Sequence, residues 1–242
     1  MLDGHAKIEK NVFMLLVLMI VVSSIGAIIE IFPLFIKEVA IEKVEGMRPH
    51  TPLELLGMEI YKREGCYTCH SQQIRALRDE VERYGHYSLA AESMYDFPFL
   101  WGSKRTGPEL ARVGGKYSDE WHVQHLIDPR SVVPESIMPR YHFMVNTKLD
   151  VGTLVSMMDV LKMLGVPYTE EDIINAEEDL KIQLGMIFEQ SKIENFNKRY
   201  PRTYIRKFNA KSSEITEMDA LVGYIQSLGN RVDLKTNLGR DW

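Results

Sequence analysis

Both cysteines of the 242-residue chain fall in one hexapeptide, Gly65-Cys66-Tyr67-Thr68-Cys69-His70. Two thiols three residues apart can form a redox disulfide or half of a zinc site. A zinc site needs four ligands, and the chain has no second cysteine pair. A thioredoxin-like pair follows a strand in an α/β pattern, whereas the sequence around Cys66 reads as helix. Followed at once by histidine, the pair has the spacing of covalent c-type haem attachment. Cys66 and Cys69 would each form a thioether with one haem vinyl group. His70 would then fall beneath the iron as its proximal ligand. Both thiols are consumed, which explains why the chain needs no others.

The iron then requires a sixth ligand or an open position. Methionine/histidine ligation raises the reduction potential and suits electron transfer. The ligand must come from an irregular segment that can fold over the distal face. Met138, in Ser136-Ile137-Met138-Pro139-Arg140-Tyr141, is pinned by proline and is the expected ligand; Met144 is second. Met157, Met158 and Met163 follow core spacing along a helix and are expected to pack. Met58 precedes the cysteines on a helix, and Met94 lies in an aromatic stretch. His86, His122, His125 and His142 are the bis-histidine alternatives, each read first as a surface or core histidine.

The elements that position these residues are helical. Thr51-Pro52-Leu53-Glu54 is a helix start with a capping box and a first-turn proline, and the helix delivers Cys66. Arg75 to Arg83 reads as a charged helix. Met94 to Trp101 is aromatic-rich and is expected to dock, on its own core or on a partner. Ser118 caps a helix running to about Ile127. Thr147 is expected to cap another, with Leu149, Leu154, Met157, Met158, Leu161 and Leu164 at helical spacing and Gly165 ending it. Thr216 caps the last, Glu217 to Leu228, closed by Gly229. Between these two, Pro167 to Ser213 carries acids first and bases later, and reads as a solvated helical insertion.

The composition, 45% hydrophobic and 26% charged, is that of an ordered protein, and the net charge of −5 argues against general nucleic-acid binding. Val12 to Ile29 holds no charged residue and is long enough to cross a hydrocarbon core. The run exceeds the apolar core of a signal peptide, and no A-x-A cleavage site follows, so an uncleaved anchor is expected. Glu30 reads as an interfacial carboxylate.

The stretch Thr106-Gly107-Pro108-Glu109-Leu110 resembles the Gly-Pro-[DE]-Leu segment of class I cytochromes c. That likeness implies that the Pro108 carbonyl accepts a hydrogen bond from the ring nitrogen of His70 facing away from iron. It also implies a crossing of the first and last helices near Gly57, Tyr61 and Tyr224. The segments "REGCYTCHSQQIR", "RDEVERYGHYSLAAESMYDFPFLWGSKRTGPELARVGGKYSDEWHVQHLIDPRSVVPESIMPRY" and "EMDALVGYIQSLG" resemble the mono-haem cytochrome c subunit, subunit II of the FixO/CcoO type, of cbb3-type cytochrome c oxidases. The resemblance implies an all-α fold: one transmembrane helix, then a class I cytochrome c-like domain with insertions. The expected organisation is a cytoplasmic terminus at 1–10, an anchor at 11–32 and a stalk at 33–50. A haem domain at 51–229 follows, with insertions at 71–104 and 167–213, and a tail at 230–242.

The resemblance further implies an inner-membrane protein with its haem domain in the periplasm, because haem c is attached outside the bacterial cytoplasm. Its one covalent haem c would relay electrons from a di-haem cytochrome c subunit to the b-type haem of the catalytic haem–copper subunit. The chain would not be an enzyme on its own. A calcium ion at the subunit interface is also implied, with Ser103 as a ligand. Two rival readings stand beside this one. A separate membrane-anchored electron carrier would need a flexible tether, against which the short charged stalk counts. A haem enzyme or gas sensor would need an open sixth position.

Overall fold

The computed structural model describes residues 2–35, 41, 44–102 and 104–233. The chain divides into two units, Met1–Lys43 and Val44–Trp242. Ser103, most of residues 36–43 and the tail from 234 lie outside the described residues.

The first unit holds α1 (Leu2–Glu9) and α2 (Val12–Ile31). Asn11 caps α2, its side-chain oxygen accepting from Met14 N at 3.1 Å. None of the α2 side chains is buried within the protein, and 20 apolar-rich residues suffice to span a membrane. By length and composition the helix can cross a membrane.

In the second unit α3 (Pro52–Arg63) is followed by α4 (Arg78–Tyr84), α5 (Asp119–Ile127) and the single turn α6 (Pro129–Val132). Then come α7 (Leu154–Met163), α8 (Glu170–Ile174), α9 (Ala176–Gln183), α10 (Gln190–Arg199) and α11 (Glu217–Ser227). Among the described residues there is no strand, only an isolated antiparallel bridge between Lys148 and Thr216. The fold is all-α.

The centre of the unit is the crossing of α3 and α11. Gly57 makes it close: a Cβ there would lie 2.0 Å from the Ala220 carbonyl oxygen. Tyr61 and Tyr224 meet beside it, ring centres 5.4 Å apart. Arg63 clamps the pair with two bonds to Glu217, at 2.8 and 2.6 Å. The Thr51–Glu54 capping box that starts α3 is formed in full.

Two sequence expectations differ from the structure. Thr147 does not cap a helix; α7 starts only at Leu154. The Thr147–Leu149 backbone is committed elsewhere, with Glu217 N bonded to Thr147 O at 2.9 Å and Leu149 N to Ile215 O at 3.0 Å. The 167–213 segment is helical but is not a solvated insertion. Ile173, Leu180, Ile182, Phe196 and Phe208 are buried in the main core, and Thr51 at the head of α3 donates to Gln183 at 2.6 Å. Most of its charges lie outside, but Asp172 and Asp179 are buried and paired with Arg199, while Ile174 and Phe188 are exposed.

The last residues of the expected stalk are buried too. Arg48 pairs with Glu54 through bonds of 2.6 and 2.8 Å, and His50 Nε2 meets Asp96 at 2.7 Å. Asp96 in turn accepts from Arg231 at 3.2 Å. The aromatic stretch thereby folds onto its own core, leaving the stacked pair Phe99 and Trp101 at the surface.

Candidate haem site

Gly65 ends α3 with φ +69°, a left-handed turn that glycine adopts without strain. The chain then tightens into a 3-10 turn over Cys66–Thr68. Its bonds are local: Thr68 N and Oγ1 both donate to Gly65 O, and His70 N donates to Cys66 O at 3.0 Å. The turn presents Cys66 half-buried and Cys69 exposed, with no disulfide between them. Burial, with the nearby Glu64 charge second, pushes the Cys66 thiol up to about 12. A thiol held protonated is a poor redox or nucleophilic group.

His70 is fixed by the segment that follows the long connection. Its Nδ1 lies 2.8 Å from the Pro108 carbonyl oxygen. That contact makes Nδ1–H the donor and leaves the lone pair on Nε2, the arrangement of a metal-binding histidine. Gly107 lies flat against the ring, where a Cβ would come within 2.3 Å of Cε1. The two segments are stitched by Gly107 N to Cys69 O and Leu110 N to Ser71 O, each 2.9 Å. Gly102 packs against the backbone of the motif, its Cβ position 3.0 Å from His70 O.

Met138 lies in the irregular segment after α6, half-buried against the core. The segment is pinned to α5 and α6: Tyr141 N donates to Leu126 O at 2.8 Å, Arg140 pairs with Asp128, and Arg130 holds Ser136 O at 3.1 Å. Tyr141 feels the charges of Cys66, Glu64 and Cys69, after burial, in an upward push on its hydroxyl. The loop therefore ends beside the cysteine motif.

Most of the alternatives fall elsewhere. Met144, Met158 and Met58 are fully buried in the core, and Met163 is exposed at the end of α7. His86 bonds Tyr87 O through Nδ1 at 2.6 Å, and His142 is exposed. His122 is buried beside Tyr117 and Trp121. His125 lies on α5 with a buried, unpartnered Nδ1.

The donor set fits a haem: an oriented imidazole with a free Nε2, a flat glycine beneath it, a thiol pair at the attachment spacing and a thioether loop close by. Among the described residues no three His, Cys, Asp or Glu side chains converge to hold a bare metal ion. A family described as "Cytochrome C oxidase, mono-heme subunit/FixO" matches residues 5–232. The chain belongs to this family. It is thus a mono-haem subunit of a cytochrome c oxidase, an electron-transport component carrying one haem, and α2 fits its placement in a membrane. No curated protein matches the chain.

Within this FixO-type subunit, Gly102 and Gly107 are the site residues that sequence reading passed over. Gly107 lies inside the quoted Thr106–Leu110 stretch, but nothing in its own position marks what a side chain there would strike.

Proposed function

We propose that this subunit relays single electrons from a di-haem cytochrome c subunit to the b-type haem of the catalytic haem–copper subunit, where oxygen is reduced. Cys66 and Cys69 would hold the haem covalently as haem c. His70 Nε2 and Met138 Sδ would bind its iron, and residues 51–229 would carry it on the periplasmic side of the inner membrane, anchored by 11–32. The observation that carries the reading is the His70 Nδ1 to Pro108 O contact of 2.8 Å, beside a thiol pair at attachment spacing.

When bound, the haem supplies a one-electron couple. The chain's own residues do the rest. Pro108 keeps Nδ1 protonated and the imidazole electron-rich. Gly107 lets the ring lie in one plane. Met138, a soft neutral ligand, favours the reduced iron and raises the potential. Neither axial ligand has to release a proton during transfer. The interfacial calcium implied by the resemblance would draw on Ser103, outside the described residues, together with groups of the catalytic subunit.

The test is purification of the native complex with its subunits and haems identified. Haem that stays on this chain through denaturing electrophoresis, and is lost in Cys66→Ala/Cys69→Ala, supports the covalent reading. Met138→Ala should turn the haem high-spin and open it to carbon monoxide. A low-spin spectrum unchanged in Met138→Ala sinks the axial assignment. A chain that purifies alone, with the oxidase assembled normally without it, sinks the relay in favour of a separate carrier.

A further inference from the structure

Helix α5 carries a stacked aromatic column. Tyr117 lies on Trp121 with ring centres 4.1 Å apart, and Trp121 lies on His125 at 4.7 Å, the latter rings 9° from parallel. The stack fixes the plane of the His125 imidazole. Its Nδ1 is buried and makes no hydrogen bond. A buried polar nitrogen without a partner is unfavourable, so its position fits an acceptor brought in when the site is loaded.

Two observations say where that acceptor is. After burial, the charge of His70 is the second influence that lowers His125, so the two imidazoles lie within electrostatic reach of each other. The adjacent Leu126 carbonyl accepts from Tyr141 N at 2.8 Å, which ties the Met138–Tyr141 segment to the same turn of α5. His122 also has an unpartnered ring nitrogen, but the charges it meets are Asp119 and His125, not His70.

We propose that His125 is a positioning residue of the haem site, its Nδ1–H donating a hydrogen bond to the sulfur of Met138 when that sulfur ligates iron. The inference rests on the His70/Met138 reading above. The bond draws electron density from sulfur, weakens its donation to oxidised iron, and so raises the reduction potential. The donor also holds the thioether in one orientation, which the flexible methionine side chain does not do alone.

The experiment compares the wild-type holo-complex with His125→Phe and His125→Gln. It uses redox titration of the haem c and the far-red charge-transfer band of methionine-ligated ferric iron. The wild type shows the band. His125→Phe shifts the oxidised-to-reduced balance about tenfold toward oxidised, about 59 mV for one electron. His125→Gln, which keeps a donor, recovers most of the shift. A band in the wild type with His125→Phe at the wild-type potential overturns this inference alone. No band in the wild type overturns the Met138 reading and this inference with it.

If His125→Phe fails to load haem, the wild type decides. In the reduced, diamagnetic protein the His125 Nδ1–H should be ring-current shifted and protected from exchange. A freely exchanging, unshifted His125 overturns the proposal.

Discussion

Gly107 lies face to face with the imidazole of His70: a Cβ on Gly107 would stand 2.3 Å from Cε1 and 2.8 Å from both ring nitrogens. The backbone of one segment is the floor on which the proposed iron ligand rests. Gly107→Ala forces the ring to rotate or the two segments to part. The share of chains carrying covalent haem should fall severalfold, and what remains should show altered axial ligation. Haem staining and an absorption spectrum check this; wild-type loading and spectrum would refute it.

The α3/α11 crossing gives a second prediction. With the Cβ position of Gly57 only 2.0 Å from Ala220 O, Gly57→Ala cannot be absorbed by a side-chain shift. The helices must move apart, at a cost of about 3 kcal/mol. The thermal midpoint should drop by several degrees. An unchanged midpoint would show that the crossing is looser than described.

Acid should weaken the domain in two stages. Burial, opposed by Asp119, holds His122 down to about 4 from an ordinary 6.5. A histidine whose folded value is depressed stabilises the fold fully above 6.5 and progressively less as pH falls toward 4. At pH 5 the loss amounts to about 2 kcal/mol. Asp96 acts lower down: burial alone would raise its carboxyl, but Arg231 and His50 hold it to about 2 against an ordinary 3.8. Its contribution is present above 3.8 and lost as pH falls toward 2. Denaturant unfolding at pH 7.5 and 5 should show the first stage in the wild type, reduced by about 2 kcal/mol in His122→Gln. Equal pH dependence in both proteins contradicts the assignment.

The 167–213 segment is predicted to be structural. Phe196 on α10 is fully buried, so Phe196→Ala should cost about 3–5 kcal/mol, as in a central core position. A solvated appendage would lose less than about 0.5 kcal/mol at the same site. Urea unfolding monitored by helicity separates the two.

What the sequence made legible was local. The Thr51–Glu54 capping box, the Ser118 cap, the α11 start at Thr216 and the apolar α2 run are each written within a few residues. What it hid was long-range. Thr147 with Asp150 looks like a helix start, but its carbonyl is taken by Glu217, seventy residues on. Charge in 167–213 dominated its reading, while the inward Ile173, Leu180 and Phe196 show only once α3 is there to cover them. The proposal of the thiol pair and His70 rests on spacing alone. The flat approach of Gly107 and the orphaned nitrogen of His125 depend on what folds against them, and no residue type announces either.

The stitching of Cys69–Ser71 to Gly107–Leu110 has a consequence for rate. Electron transfer is slowed by whatever nuclei must shift when the charge on iron changes. Here His70, the proposed proximal ligand, is bonded at its ring by Pro108, floored by Gly107, and flanked by two backbone bonds of 2.9 Å. Such a frame moves little between the two charge states. With the haem held there as proposed, the reorganisation energy on this side would be small, and an electron would pass onward with little driving force.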